Sequence, residues 1–256
     1  MDGSQANNKL KNAQEIMFEI LTEVDRICKK YHIEYWLDSG TLLGAVRHQD
    51  FIPWDDDLDI AMKIEDYEQF SKITQNELKD SMHLQSNKVE HSLHYDFIKI
   101  RSNKGKIVEK HEVKRNIGYH QGIFIDIFPV IAIKQGFLNE TFYKSILLFI
   151  KLFSYKYLNI ASIRRCLVKA SLKFHIGWKE NSSRVVYGGQ MPFFPFGVDA
   201  ESIFPLSGIL FKGKELLAPS DPHTYLCSLY GDDYMTPPPI NQRKTHAYKI
   251  EIYDEE

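Results

Sequence analysis

The segment Asp55-Asp56-Asp57-Leu58-Asp59 sets four carboxylates at the head of a run whose next residues, Ile60, Ala61 and Met62, are apolar. Like charges so crowded are costly unless a cation compensates them. Leu58, Ile60 and Met62 alternate with Asp57, Asp59 and Ala61, a period of two that reads as a strand. Residues two apart on a strand point the same way, so Asp57 and Asp59 share a face, joined by Asp55 if the backbone is already extended there. A second run, Ile123 to Phe128, carries one carboxylate, Asp126, among otherwise apolar residues, where an unpaired charge is expensive. If the two strands are neighbours, about 4.8 Å apart, Asp57, Asp59 and Asp126 converge on one or two hard cations, magnesium or manganese. Phosphoryl-type transfer uses that geometry: one ion activates the attacking hydroxyl and the other neutralises charge on the leaving phosphate. Asp126, alone on its strand, is then the candidate base for the hydroxyl. The competing reading is an acidic surface turn. An EF-hand loop fits poorly, because Ile60 stands where Gly is required and Asp66 where Glu is favoured.

Ahead of the acidic strand lies Ser39-Gly40-Thr41-Leu42-Leu43-Gly44. A small-residue turn that opens a helix can offer backbone N–H groups and a hydroxyl to a phosphate, assisted by the helix dipole. A phosphate held by Ser39, Gly40 and Thr41 would lie beside metals held on the next strand. Lys99 and Arg101 share one face of a strand and are candidates to hold donor phosphates, against the alternative of solvated surface. Trp54, beside Asp55, reads as packing or as a ring that receives a quaternary ammonium by cation–π contact. Arg47, which could pair with an acid of the cluster, and His48, which could cap the helix, are not assigned as acid or base.

These residues need elements to position them. Leu10, Ala13, Ile16, Met17, Ile20, Val24, Ile27 and Cys28 recur at three- and four-residue steps, which predicts an amphipathic helix over 9–30. A short buried strand is expected at 33–37, the first turns of a helix at 42–46, the acidic strand at 58–62 and a helix at 65–78. The runs 95–101 and 106–109 flank Asn103-Lys104-Gly105 as a hairpin. Gly122 to Phe128 is a strand ended by Pro129. Helical periodicity marks 142–157 and 163–174, the stretch 181–197 reads as loop, and Ser220 caps a last helix closed by Gly231. The pattern implies an α+β domain, a mixed sheet flanked by helices, in a single unit over 1–256 with a helical insertion at about 140–180.

Composition narrows the function classes. Lys+Arg at 32 against Asp+Glu at 34 leaves a net charge of -2, without the global basic field that holds a protein on nucleic acid. Cys28, Cys166 and Cys227 are few and far apart, so neither a disulfide framework nor a thiolate zinc site is readable. The polar start of the chain lacks the order of a secretory signal, and a cytoplasmic location is expected. The longest apolar stretch, Ile146 to Ile150, is far short of a bilayer span.

The run Tyr35-Trp36-Leu37-Asp38-Ser39-Gly40-Thr41-Leu42-Leu43-Gly44-Ala45-Val46-Arg47-His48, followed by Phe51-Ile52-Pro53-Trp54-Asp55-Asp56-Asp57-Leu58-Asp59-Ile60, resembles the LicD family of phosphotransferases, which includes phosphocholine transferases and, more distantly, fukutin-related protein. The resemblance continues through Lys99-Ile100-Arg101, Gly122 to Pro129, Tyr230-Gly231-Asp232 and Pro237-Pro238, and covers most of the chain outside about 140–200. It implies a nucleotidyltransferase-like fold with the phosphate turn at Ser39-Gly40, the metal pair at Asp57 and Asp59, and the third carboxylate at Asp126. Arg243 and His246 fall in the stretch similar to the family's closing motif, from which they would reach the site as part of a lid. Relatives often continue the Phe-Pro pair with leucine and aspartate, whereas this chain has Val130-Ile131. The implied reaction is transfer of a phosphocholine-like group from a CDP-activated donor, CDP-choline foremost, to a sugar hydroxyl of a cell-surface glycan precursor. Phosphoribitol or phosphoglycerol transfer, nucleotidyl transfer to a small hydroxyl compound, and a degenerate nucleotide-binding scaffold are the rivals. Three intact acids argue against the scaffold.

Between Thr141 and Lys179 stand eight Lys/Arg and no Asp or Glu, interleaved with aromatic residues. Two arrangements fit: helices packed on the core with a basic outer face, or helices lying flat on the inner face of an anionic membrane through Arg164, Arg165, Lys169 and Lys173. The second suits a lipid-linked glycan acceptor.

Overall fold

The computed structural model describes residues 3–87, 89, 90, 93, 95–113, 117–153, 158, 160–178, 183–188 and 197–253. In chain order the elements are α1 (Gly3–Tyr31), β1 (Trp36–Leu37), α2 (Ser39–His48), β2 (Asp59–Lys63), α3 (Ile64–Glu77), β3 (Met82–Gln85), β4 (Ile98–Glu109), β5 (Gly122–Lys134), α4 (Phe137–Leu152), α5 (Ala161–Leu172), β6 (Ser183–Tyr187), β7 (Gly197–Asp199), α6 (Ala200–Ile203), β8 (Ser207–Phe211), β9 (Lys214–Ala218), α7 (Pro222–Tyr230) and β10 (Ala247–Ile252). The expected α+β architecture is present: a mixed sheet runs β1-β2-β5-β4-β10, with β3 on β4 and the β6–β7 pair on β5, and β8–β9 form a separate hairpin.

β5 is the axis of the sheet. It pairs in parallel with β2 and antiparallel with β4 and β6. Covered on both faces, it is buried from Gly122 to Ile133, and so reads as a continuous apolar run rather than an alternating one. Pro129 does not end it as expected. The β4 ladder stops at Ile127 and the β6 ladder starts at Val130, so the proline lies in the gap between two antiparallel neighbours, where a missing N–H breaks no rung on that side. The apolar stripe of α1 is fully buried at Ala13, Met17, Ile20, Leu21, Val24 and Ile27, and the helix packs across β4, β5 and β10.

Other expectations need correction. Asn103-Lys104-Gly105 is not a turn: β4 passes straight through it, with a shift in register against β5 between Ser102 and Lys106. Gly105 makes this possible, because a Cβ there would stand 2.5 Å from the Glu251 carbonyl of β10. Helix α2 begins at Ser39, three residues early, because Asp38 caps it. Asp221, not Ser220, caps α7: its carboxylate accepts from the Thr224 N–H at 3.0 Å. The segment read as loop contains β6, and its parts at 181, 182 and 189–196 lie outside the described residues, as does the end of the first insertion helix at 154–157. The two insertion helices otherwise form, and pack through Tyr143, Leu147, Ile150 and Val168 against Ile131, Ile133 and Val186. The three cysteines are unbonded. Among the described residues no helix is long and apolar enough to cross a membrane.

Candidate active site

Asp59 and Asp126 stand directly opposite each other in the parallel β2–β5 ladder, and Lys99 of β4 stands opposite Asp126. Residues at matching register face the same way, so three strands carry a row of acid, acid and lysine. The strands meet here through apolar residues, Ile60, Ala61 and Met62 of β2 and the buried run of β5; both strands pack on α3, and β5 also on α1.

The loop before β2 is held from two sides. Gln14 of α1 donates to the Asp55 carbonyl at 2.8 Å. Asp56 is buried, and its two oxygens accept the backbone N–H groups of His246 (2.9 Å) and Ala247 (2.6 Å). Ligand oxygens of Asp55, Asp56 and Asp57 all lie within 4.8 Å of one another. Since Asp56 is engaged in fixing the C-terminal segment, Asp55 and Asp57 are the pair that faces the row. Burial first, then the neighbouring Asp57, drives the Asp55 carboxyl well above the usual range, and burial with the charges of Asp57 and Asp126 does the same to Asp59. Asp57 is raised by burial and held back by His246, whose Nε2 lies 3.6 Å away. Asp126, raised by burial and partly offset by Lys99, is pushed up to about 6.

Such a group of hard oxygens, desolvated and mutually repelling, fits a divalent cation. Asp55, Asp57 and Asp59 would hold it. Asp126 is already paired: the Lys99 ammonium lies 2.8 Å from one of its oxygens and 3.1 Å from the other, and 3.6 Å from Glu109.

Lys99 and Arg101 do not fit the role of phosphate holders. Both are buried; Lys99 is turned to Asp126 over the Phe124 ring, and Arg101 donates to the side chain of Gln85 and the carbonyl of Gly122. Alternation along β4 put them on one face as expected, but that face is interior. The start of α2 is closer to expectation. Ser39 has φ 46°, and its N–H is taken by the Asp38 carboxylate at 2.7 Å, whereas the N–H groups of Gly40 and Thr41 have no acceptor inside the helix. The Thr41 hydroxyl accepts the Asp59 N–H at 2.8 Å and so positions the acid. A Cβ at Gly40 would lie 2.8 Å from Asp55 Oδ2, so any larger residue there would displace that carboxylate. Arg243 covers the Trp54 ring, 3.8 Å from its centroid, and Arg47 lies at 6.0 Å from the same ring, with its guanidinium near Asp55. That aromatic face therefore already carries a cation.

Sequence reasoning gave no role to Asp38. Fully buried, it accepts hydrogen bonds from the hydroxyls of Tyr187 (2.6 Å) and Tyr225 (2.7 Å), and burial raises its carboxyl. Its partners come from β6 and α7, remote in the chain, and only the break of an apolar strand by an acid hinted at it. Tyr230 also borders the acids; burial, then Asp59, Asp38, Asp55 and Asp57, raises its phenol.

The site is thus a mixed sheet whose adjacent parallel strands set Asp59 beside Asp126, next to the start of α2. The chain belongs to the LicD/FKTN/FKRP nucleotidyltransferase-domain family, whose family model matches residues 32–159. It is 44% identical over 61 residues, 24% of this chain and 23% of the relative, to the lipopolysaccharide cholinephosphotransferase LicD of Haemophilus influenzae. Over 57 residues, 22% of this chain and 18% of the relative, it is 47% identical to an uncharacterised protein of Rickettsia typhi. It is also 56% identical over 34 residues, 13% of this chain and 7% of the relative, to the human ribitol 5-phosphate transferase FKRP. The matched stretches thus span less than a quarter of each relative.

Proposed function

We propose that the protein transfers a substituted phosphate, phosphocholine-like or phosphoribitol-like, from a CDP-activated donor to a hydroxyl of a glycan, lipid-linked or free. The observation that carries this reading is the register of Asp59 against Asp126, with Asp55 and Asp57 clustered in the loop just before β2 and close enough for their charges to act on Asp59. The names of the two characterised relatives agree on the class of reaction and differ in the group moved. A magnesium or manganese ion between the carboxylates would supply charge neutralisation at the phosphate and acidify the attacking hydroxyl.

The protein's own groups do the rest. The first-turn N–H groups of α2 at Gly40 and Thr41 receive phosphate oxygens, with the helix dipole behind them. Arg243 and Arg47, stacked about Trp54 beside Asp55, place positive charge where the nucleotide half of the donor would lie. His246, set 3.6 Å from Asp57 by the Asp56 anchor, stands at the rim. Asp126, held ionised at neutral pH by Lys99 despite its burial, takes the proton of the acceptor hydroxyl. CDP-choline is the favoured donor, and CDP-ribitol and CDP-glycerol are the alternatives.

Incubating the protein with each donor, magnesium and candidate glycans, and measuring released cytidine monophosphate, tests the reading. Release with one donor, abolished by excess chelator and by Asp57→Asn, is expected. Pyrophosphate release from a nucleoside triphosphate instead would establish nucleotidyl transfer. Turnover undiminished in chelator would overturn the metal site.

A further inference from the structure

On α4 the apolar residues outnumber the core they could fill. At about 100° per residue, Tyr143, Leu147 and Ile150 lie within one narrow arc, and all three are buried against the sheet. Leu138, Phe142, Leu148, Phe149 and Leu152 occupy an arc of about 120° on the opposite side, and they are exposed, Leu138 at 79% and Leu148 at 66%. Phe137, at 81%, extends the face at the helix start. Of the exposed residues inside this arc only the uncharged Thr141 and Ser145 are polar, and apolar exposure of this extent marks an interaction surface rather than scattered surface apolarity.

We propose that this outer face of α4 docks on an anionic lipid surface, with Lys144 at its edge and Lys169 and Lys173 of the α5 side reaching the headgroups. Charge decides the occupant. The span 141–179 has eight basic residues and no acidic one, and the one acid of α4, Glu140, is half-buried beside Arg184, so a second copy seated on the face would bring exposed lysines against exposed lysines. A lipid surface offers an apolar layer under an anionic one, which matches a helix whose apolar arc is edged by lysines. Lys144, Lys169 and Lys173 are exposed. Arg164 is not part of this set: it is buried and paired with Asp96 at 2.8 Å.

The face is connected to the candidate active site. On the inner side of α4, the Tyr143 hydroxyl donates to the Tyr187 carbonyl at 2.7 Å, and the Tyr187 hydroxyl donates to Asp38, the cap of α2. Docking would therefore hold the site near the membrane, where a lipid-carried acceptor is confined to two dimensions. Only this use of the docking rests on the proposed transfer; the docking itself is read without any catalytic assay.

Sedimentation of the full chain with vesicles tests it. Vesicles of equal phosphatidylglycerol and phosphatidylcholine should bind at least about tenfold more protein than phosphatidylcholine alone, with the difference reduced at high salt. The pair Leu148→Glu and Phe149→Glu should abolish binding. Changing Lys144, Lys169 and Lys173 to Gln should weaken it by about fivefold per lysine, and this variant keeps the test valid should the double glutamate variant not fold. Equal binding to both vesicle types, or binding unmoved by the lysine changes, would overturn the proposal. So would a lipid-free dimer, seen by light scattering, that Leu148→Glu dissociates, since it would give the face to a second copy.

Discussion

The junction of β2, β5 and β4 and the outer face of α4 violate opposite halves of one rule. At the junction Asp126 and Lys99 are buried beside desolvated Asp55, Asp57 and Asp59; on α4, Leu138, Phe142, Leu148 and Phe149 face water. Polar groups inside are tolerated where they are paired or bind something, and apolar groups outside where something covers them. Each region thus departs from local consistency where a ligand would restore it, and such departures cluster at functional sites. The two differ in how they are built. The acids are fixed by ladder register, helix caps and a C-terminal clasp, whereas the α4 face is fixed only by the helix itself.

Removing a carboxylate from the junction should have the largest effect. Asp57→Asn or Asp59→Asn is expected to lower turnover by about 10³-fold or more, measured as cytidine monophosphate release, while the circular dichroism spectrum is retained. Thermal stability in chelator should be equal to or above that of the unaltered protein, because repulsion with the remaining acids is relieved. A large fall in melting temperature would mean that these acids are structural.

Asp126→Asn should behave differently and break the symmetry among the acids. It leaves the buried Lys99 with Glu109, 3.6 Å away, as its remaining direct ion-pair partner among the described residues, and a broken buried pair costs about 3–5 kcal/mol. Both activity and stability should fall, and adding Lys99→Met should recover stability without recovering activity. Stability unchanged by Asp126→Asn would show that Lys99 does not depend on it.

The pH dependence sharpens the same contrast. Asp59 has a folded-state pKa raised above its unfolded value, so the folded protein holds more protons than the unfolded chain between those two values. Ionising it therefore destabilises the metal-free fold, and stability is regained as pH falls through the folded value. The melting-temperature margin of Asp59→Asn over the unaltered protein, in chelator, should be widest on the alkaline side of the folded value and narrow as pH falls through it. A margin that widens on acidification would reverse the assignment.

Much of this was legible in the chain. The period of two through Leu58, Ile60 and Met62 and the lone acid in 123–128 gave two strands and their acids, because side-chain alternation is a local property. The burial of Lys99 and Arg101 was not legible, since it depends on β4 lying between β5 on one side and β3 and β10 on the other. Asp56 could not be told from Asp55 and Asp57, because its partners, the His246 and Ala247 N–H groups, come from the far end of the chain. Gly105 and Pro129 carry turn signals by composition, yet the first permits the close approach of β10 and the second falls where β5 changes neighbours. On α4, periodicity identified the helix but not which of two apolar arcs met the core.

The smallest expected effect falls on that outer arc. Leu148→Ser and Phe149→Ser remove side chains that make little contact with the core, so unfolding free energy should change by no more than about 0.5 kcal/mol, measured by denaturant melts in the absence of lipid. Ile150→Ala, two residues on, deletes a fully buried side chain and should cost about 2–5 kcal/mol. The pair of measurements separates the two arcs of one helix by their energetics alone. A loss above about 2 kcal/mol for Leu148→Ser would mean that this arc is already packed in solution, and the contrast between a buried polar junction and an uncovered apolar face would then rest on the junction alone.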